Sequence, residues 1–145
     1  MTLNVAALDR TVLQTQAWLG HISQQMGWED PEKSYATLRA VLHALRDRLP
    51  PDEAVNLAAQ LPTLVRGIYF EGWHPADEPL TKRNRAEFLE RVRRAAPELT
   101  EREARRAVTA VLLELSTELD QREVKRVRQA MPPELRELWP VAPPP

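Results

Sequence analysis

When the chain is shifted against itself by 70 residues, Ala40-Val41-Leu42 falls on Ala110-Val111-Leu112, Leu45 on Leu115, Leu49 on Leu119 and Glu53 on Glu123. The register persists: Leu61-Pro62 meets Met131-Pro132, Val65-Arg66 meets Leu135-Arg136, Ile68-Tyr69 meets Leu138-Trp139, and upstream Trp18-Leu19 meets Phe88-Leu89. Agreement at one fixed offset predicts an internal duplication, since each copy must bury the same apolar positions. The first copy spans about 9–72, the connection about 72–81, and the second copy about 82–140.

The apolar spacing inside each copy is helical. Tyr35, Leu38, Leu42, Leu45 and Leu49 recur at steps of three and four, which puts them on one face, and no run alternates with period two. Helix ends leave backbone groups unbonded, and particular residues mark where they are satisfied. Asp30-Pro31 predicts an N-cap with proline at the first position of a helix reaching about Leu49, stopped by Pro50-Pro51. Before it, a helix from about Asp9 to Met26 carries Leu13, Trp18, Leu19, Ile22 and Met26 and ends at Gly27. A short helix follows with Leu57 and Leu61, then a Pro62-led one ending near Gly72. The order repeats after the connection. Thr81 caps the next helix, Thr100/Glu103 and Asp120/Glu123 have capping-box spacing, and Pro132-Pro133 opens a last turn through Leu135, Leu138 and Trp139. The fold class is therefore all-α, with two tandem four-helix repeats packed into one domain.

Composition excludes several functions. The 145 residues hold no cysteine, which removes thiol catalysis, disulfides and cysteine-ligated metals and suits a reducing compartment, the cytoplasm by default. Twenty basic against 21 acidic side chains leave no global field for DNA or an anionic membrane. No apolar run approaches the roughly 20 residues that span a bilayer, and residues 1–10 carry no signal-peptide pattern. Four glycines, at 20, 27, 67 and 72, provide neither a phosphate loop nor a nucleophile elbow.

The sequence resembles the bacterial family of domain of unknown function 2267. The likeness is carried by Gly27-Trp28-Glu29-Asp30, by Leu38 to Pro50, by Ala59-Gln60-Leu61-Pro62 with Leu64 to Tyr69, by Gly72-Trp73, and by Pro133 to Trp139. It covers about residues 9–140 and implies an all-helical protein without an assigned activity. No catalytic residue comes with it. The second copy has Leu113 in place of His43 and Glu137 in place of Gly67, which directs the search for a site to the first half.

Three groups of residues are candidates there. Trp28 and Trp73 each follow a glycine, and with Arg66 and Tyr69 they could anchor a protein partner or a second copy; alternatively they pack over the seam between copies. Arg39, His43 and Asp47 lie four apart on one helix edge, so Asp47 could orient His43 as a base or ligand in a pocket between copies, or all three could be a supporting ladder. Lys82, Arg83, Arg85, Arg91, Arg93 and Arg94 crowd one helix and could meet phosphates, although Glu87 and Glu90 are interleaved and Glu98, Glu101 and Glu103 follow. His21, His43 and His74 have no ligand spacing, so neither metal nor other cofactor is expected. The resulting reading is a non-catalytic protein-interaction module. A ligand-binding or enzymatic pocket at His43 is the second reading, and nucleic-acid association through arginines 82–94 the third.

Overall fold

The computed structural model describes residues 3–75 and 84–140, and it contains helices but no strands among them. In chain order these are α1 (Ala6–Met26), α2 (Pro31–Arg46), α3 (Pro51–Ala59), α4 (Thr63–Phe70), α5 (Arg85–Ala95), α6 (Glu101–Glu118), α7 (Gln121–Ala130) and α8 (Pro133–Arg136). The longer helices close a ring: α1 packs on α2 and α6, while α5 packs on the same two. The short helices cover this bundle, α4 against α1 and α2, α3 against α4 and α7, and α8 against α5.

One apolar cluster runs through both halves, from Trp18 and Ile22 through Leu38, Leu42 and Leu45 to Phe88, Leu112, Leu115 and Trp139. The core is thus shared across the ring, and it is not divided into two closed units. No described helix is long and apolar enough to cross a membrane.

Most helix ends are where the sequence places them. Asp30 accepts a hydrogen bond from the Glu32 N–H (3.0 Å) with Pro31 at the first turn, and Gly27 closes α1 at φ 70°, a left-handed value that glycine adopts without steric cost. The Thr100–Glu103 capping box is fully formed, with both reciprocal bonds at 3.1 Å.

Several expectations require correction. α2 ends at Arg46, and residues 47–49 form a turn; the ladder stops three residues before the prolines because the chain must already bend toward α3. Asp120 caps α7 through the Arg122 N–H (2.8 Å), but Glu123 does not complete a box, since its side chain is buried and pairs with Arg126 at 3.3 Å. On α1 the inward line is Thr11, Thr15, Trp18, Ile22 and Met26, whereas Leu13 is 65% exposed; Tyr35, at the start of the α2 stripe, is also exposed. Two threonines can replace leucines there because their hydroxyls are satisfied: Thr15 donates to the Thr11 carbonyl (2.8 Å), and Thr11 Oγ1 accepts the free Leu64 N–H at the start of α4 (2.8 Å). Thr81 lies outside the described residues, as does most of the connection, and α5 is capped by Asn84, whose Oδ1 accepts from the Glu87 N–H (2.7 Å).

Leu42 sits at the middle of the shared core with no solvent exposure. Leu42→Ala is expected to cost about 3 kcal/mol, and urea unfolding followed by tryptophan fluorescence and by circular dichroism should give one coincident transition, because both halves contribute to the same core. Two separated transitions would show that the halves unfold independently.

Candidate functional site

Arg39, His43 and Arg46 lie along one edge of α2 and face the C-terminal end of α4, where backbone carbonyls have no partner within the helix. His43 Nε2 donates to the Ile68 carbonyl (2.7 Å), Arg46 Nη1 donates to the carbonyls of Tyr69 (2.8 Å) and Glu71 (2.7 Å), and Arg39 Nε reaches the Glu71 carboxylate (3.2 Å). These cations and this imidazole complement the partial negative charge that accumulates at a helix C-terminus. Asp47 does not orient His43. Its carboxylate accepts from Arg46 Nε (2.9 Å) and is bridged to Arg91 of α5, so it ties α2 to α5.

Burial is the main effect on His43 and lowers its pKa, opposed by the Ile68 bond and reinforced by Arg46 and Arg39, with Glu71 acting in the opposite sense. The imidazole is therefore neutral near pH 7 and donates through Nε2. Three clefts among the described residues, of about 630, 320 and 270 Å³ beside α5, α1 and α6, are lined by residues other than Arg39, His43 and Asp47.

The four aromatic and arginine candidates serve separate junctions. Arg66 donates to the carbonyls of Ala58 (2.9 Å), Leu61 (2.9 Å) and Ala59 (3.4 Å), closing the end of α3. Arg136 does the same at the end of α7, through the carbonyls of Arg128 (2.9 Å), Met131 (3.0 Å) and Gln129 (3.3 Å). Tyr69 is wholly buried, its hydroxyl donates to the Ala54 carbonyl (2.8 Å), and burial pushes its pKa well above the usual phenol value. It offers no surface to a partner. Phe70 stacks on Trp73 with ring centres 5.3 Å apart, and both are half-buried against the core. Trp28 lies at the α1–α6 junction: its Nε1 donates to Glu103 (3.3 Å), and the Lys33 ammonium sits 4.6 Å from its ring centre while bonding the same carboxylate (2.9 Å). Glu103 is held down to about 2, first by the Thr100 backbone N–H and next by Lys33.

The arginines of α5 are each paired with a carboxylate: Arg85 with Glu137 (3.3 Å), Arg91 with Asp47, and Arg93 and Arg94 with Glu90 (3.7 and 3.9 Å). The 630 Å³ cleft beside them is lined by both signs, with Arg85, Arg93 and Arg105 among Glu87, Glu90 and Glu101. Lys82 and Arg83 lie outside the described residues.

Two features were not legible from spacing. Val5, Leu8, Val12 and Leu13 of the first part of the chain are exposed, as is Leu64. His21, Glu114 and Glu118 also converge, with one ligand atom from each lying within 4.8 Å of the others. Ninety-three residues separate His21 from Glu114, so only the α1–α6 packing reveals that pair. The i, i+4 spacing of Glu114 and Glu118 was the one local signal available.

The sequence profile of the family described as "Uncharacterized conserved protein (DUF2267)" matches residues 15–138, nearly the whole chain. The chain belongs to that family, as the resemblance over about residues 9–140 implied. A comparison with curated proteins finds none that matches it.

His43 generates a pH prediction. Its folded-state pKa is lowered, so as pH falls through about 6.5 the unfolded chain takes up the proton first, and the stability contributed above that pH is lost below it. His43→Gln keeps a donor toward Ile68 without titrating. The stability of the native chain relative to this variant, from urea denaturation, should therefore fall between about pH 7.5 and 5.5; a constant difference would contradict the assignment.

Proposed function

We propose that this is a non-catalytic protein-interaction module, built as a tandem duplication, that associates with a second copy of itself through the uncovered first half of α1. The observation that carries the reading is a contrast in how side chains are used. The groups that the sequence singles out for chemistry in the first half, Arg39, His43, Asp47 and Arg66, are committed to carbonyls or ion pairs, while large apolar groups on α1 have no cover.

Leu8, Thr15 and Ile22 fall seven apart, so Leu8 continues the line that Ile22 buries; yet it is 59% exposed. Val5 and Val12 flank it at helical spacing, and Leu64 adjoins through the Thr11–Leu64 bond. Contiguous exposed apolar surface on a small protein marks an interaction site. A helix face of this kind suits a two-fold contact, in which the same patch serves both partners. Asp9 and Arg10 beside the stripe give each copy one charge of each sign, which an antiparallel pairing would set opposite one another.

The duplication is supported by the matching closure of α3 by Arg66 and of α7 by Arg136, and by the burial of Tyr69 and Trp139, which stand seventy residues apart. The lack of cysteine supports a reducing compartment such as the cytoplasm.

Leu8→Glu is the test. The native chain should sediment as a dimer at high micromolar concentration and the variant as a monomer, with the variant's thermal stability, measured at a dilution where both are monomeric, changed by no more than about 0.5 kcal/mol because the site is exposed. A native chain that stays monomeric at those concentrations overturns the reading.

A further inference from the structure

We propose that His21, Glu114 and Glu118 form a binding site for one divalent transition-metal ion, of the zinc or manganese class, that ties α1 to α6. The three side chains offer one imidazole nitrogen and two carboxylate oxygens, all within 4.8 Å of one another. That donor set suits cations of intermediate softness, for which imidazole and carboxylate are both good ligands. Zinc–ligand bonds of about 2.0–2.2 Å put neighbouring tetrahedral ligand atoms about 3.4 Å apart, so small rotations of the three side chains suffice. Two of the atoms are already closer, since His21 Nδ1 lies 2.8 and 3.0 Å from the Glu114 oxygens. An ion would take the place of the proton they share.

The charge balance sets this cluster apart from the rest of the molecule. Glu114 is buried, with a side chain only 6% exposed, and its ion-pair partner is His21 rather than an arginine or lysine. In a chain with 17 arginines that is unusual. Three other half-buried or buried carboxylates have permanently cationic partners: Asp47 has Arg46 and Arg91, Glu103 has Lys33, and Glu123 has Arg126. Glu118, one turn from Glu114 on α6, adds a second carboxylate within 4.8 Å of the first. Like charges at this spacing disfavour a helix unless something neutralises them.

The opposite seam of the ring makes the contrast. Seventy residues along from His21 stands Arg91, and seventy back from Glu118 stands Arg48. There, between α2 and α5, the chain carries its own cations and Arg91 is paired with Asp47. At the α1–α6 seam the protein provides donors instead. His21 is half exposed, and Glu118 lines the 320 Å³ cleft with Gln14, Ala17, Trp18 and Gln60, so an ion has a route of entry and room for water on its remaining positions.

The test is calorimetric titration of the chelator-treated full chain with zinc chloride, and separately with manganese chloride, near neutral pH. The expected result is saturable binding of one ion per chain for at least one of the two metals, a rise in melting temperature with that metal, and affinity at least about 10-fold weaker in both His21→Ala and Glu118→Gln. Glu118 is exposed, so Glu118→Gln should fold normally; unchanged circular dichroism and melting temperature without metal establish that it has. No saturable binding by either metal, or equal binding by the native chain and both variants, overturns the proposal.

Discussion

Short helices have a structural problem that long ones largely escape: the last four carbonyls of any helix have no partner within it, and in a short helix those four are a large share of the whole. In this protein α3, α4, α7 and α8 span only four to ten residues each. Their packing depends on side chains that reach across to satisfy those carbonyls. Arg66 closes α3, Arg136 closes α7, and His43 with Arg46 closes α4. A guanidinium suits the task because its planar fork holds several donors in fixed directions and stays charged at every physiological pH. Without those bonds the caps over the bundle would present buried, unsatisfied carbonyls, each of which costs more than its bond contributes.

The same demand draws in polar groups that stand out in the sequence. Arg39, His43 and Asp47 do share a helix edge, but His43 and Asp47 point to different neighbours, α4 and α5 respectively. The α5 arginines are likewise drawn into pairs with Asp47, Glu90 and Glu137, and their field is neutralised where a phosphate backbone would need it. Trp28 and Tyr69 are used inward, one against Glu103 and Lys33, the other as a buried hydroxyl on Ala54.

What is left after these commitments is uneven between the seams of the ring. The α2–α5 seam carries Arg48 and Arg91, the latter paired with Asp47, whereas the α1–α6 seam concentrates two carboxylates and an imidazole. Most of the exposed large apolar groups, Leu3, Val5, Leu8, Val12 and Leu13, fall in or just before the first half of α1, beside the point where Thr11 caps α4. α1 therefore contributes to the shared core, to the acidic cluster and to the uncovered surface.

Helix number, order and most caps were legible in the residues, because capping and hydrophobic spacing are local: Asp30-Pro31, Gly27 and the Thr100–Glu103 box act within one turn of chain. The inner line of α1 was not, since Thr11 and Thr15 are polar by composition and become inward only when Leu64 and a preceding carbonyl satisfy their hydroxyls. Glu123 looked like a cap and became a buried ion-pair partner for the same reason. Sequence by itself determined the helices and the apolar positions they must bury, through interactions spanning three or four residues. Tertiary structure alone decided which polar side chains are consumed at helix ends, and that His21 meets Glu114, because those contacts join residues tens of positions apart and depend on how α1, α2, α5 and α6 close their ring.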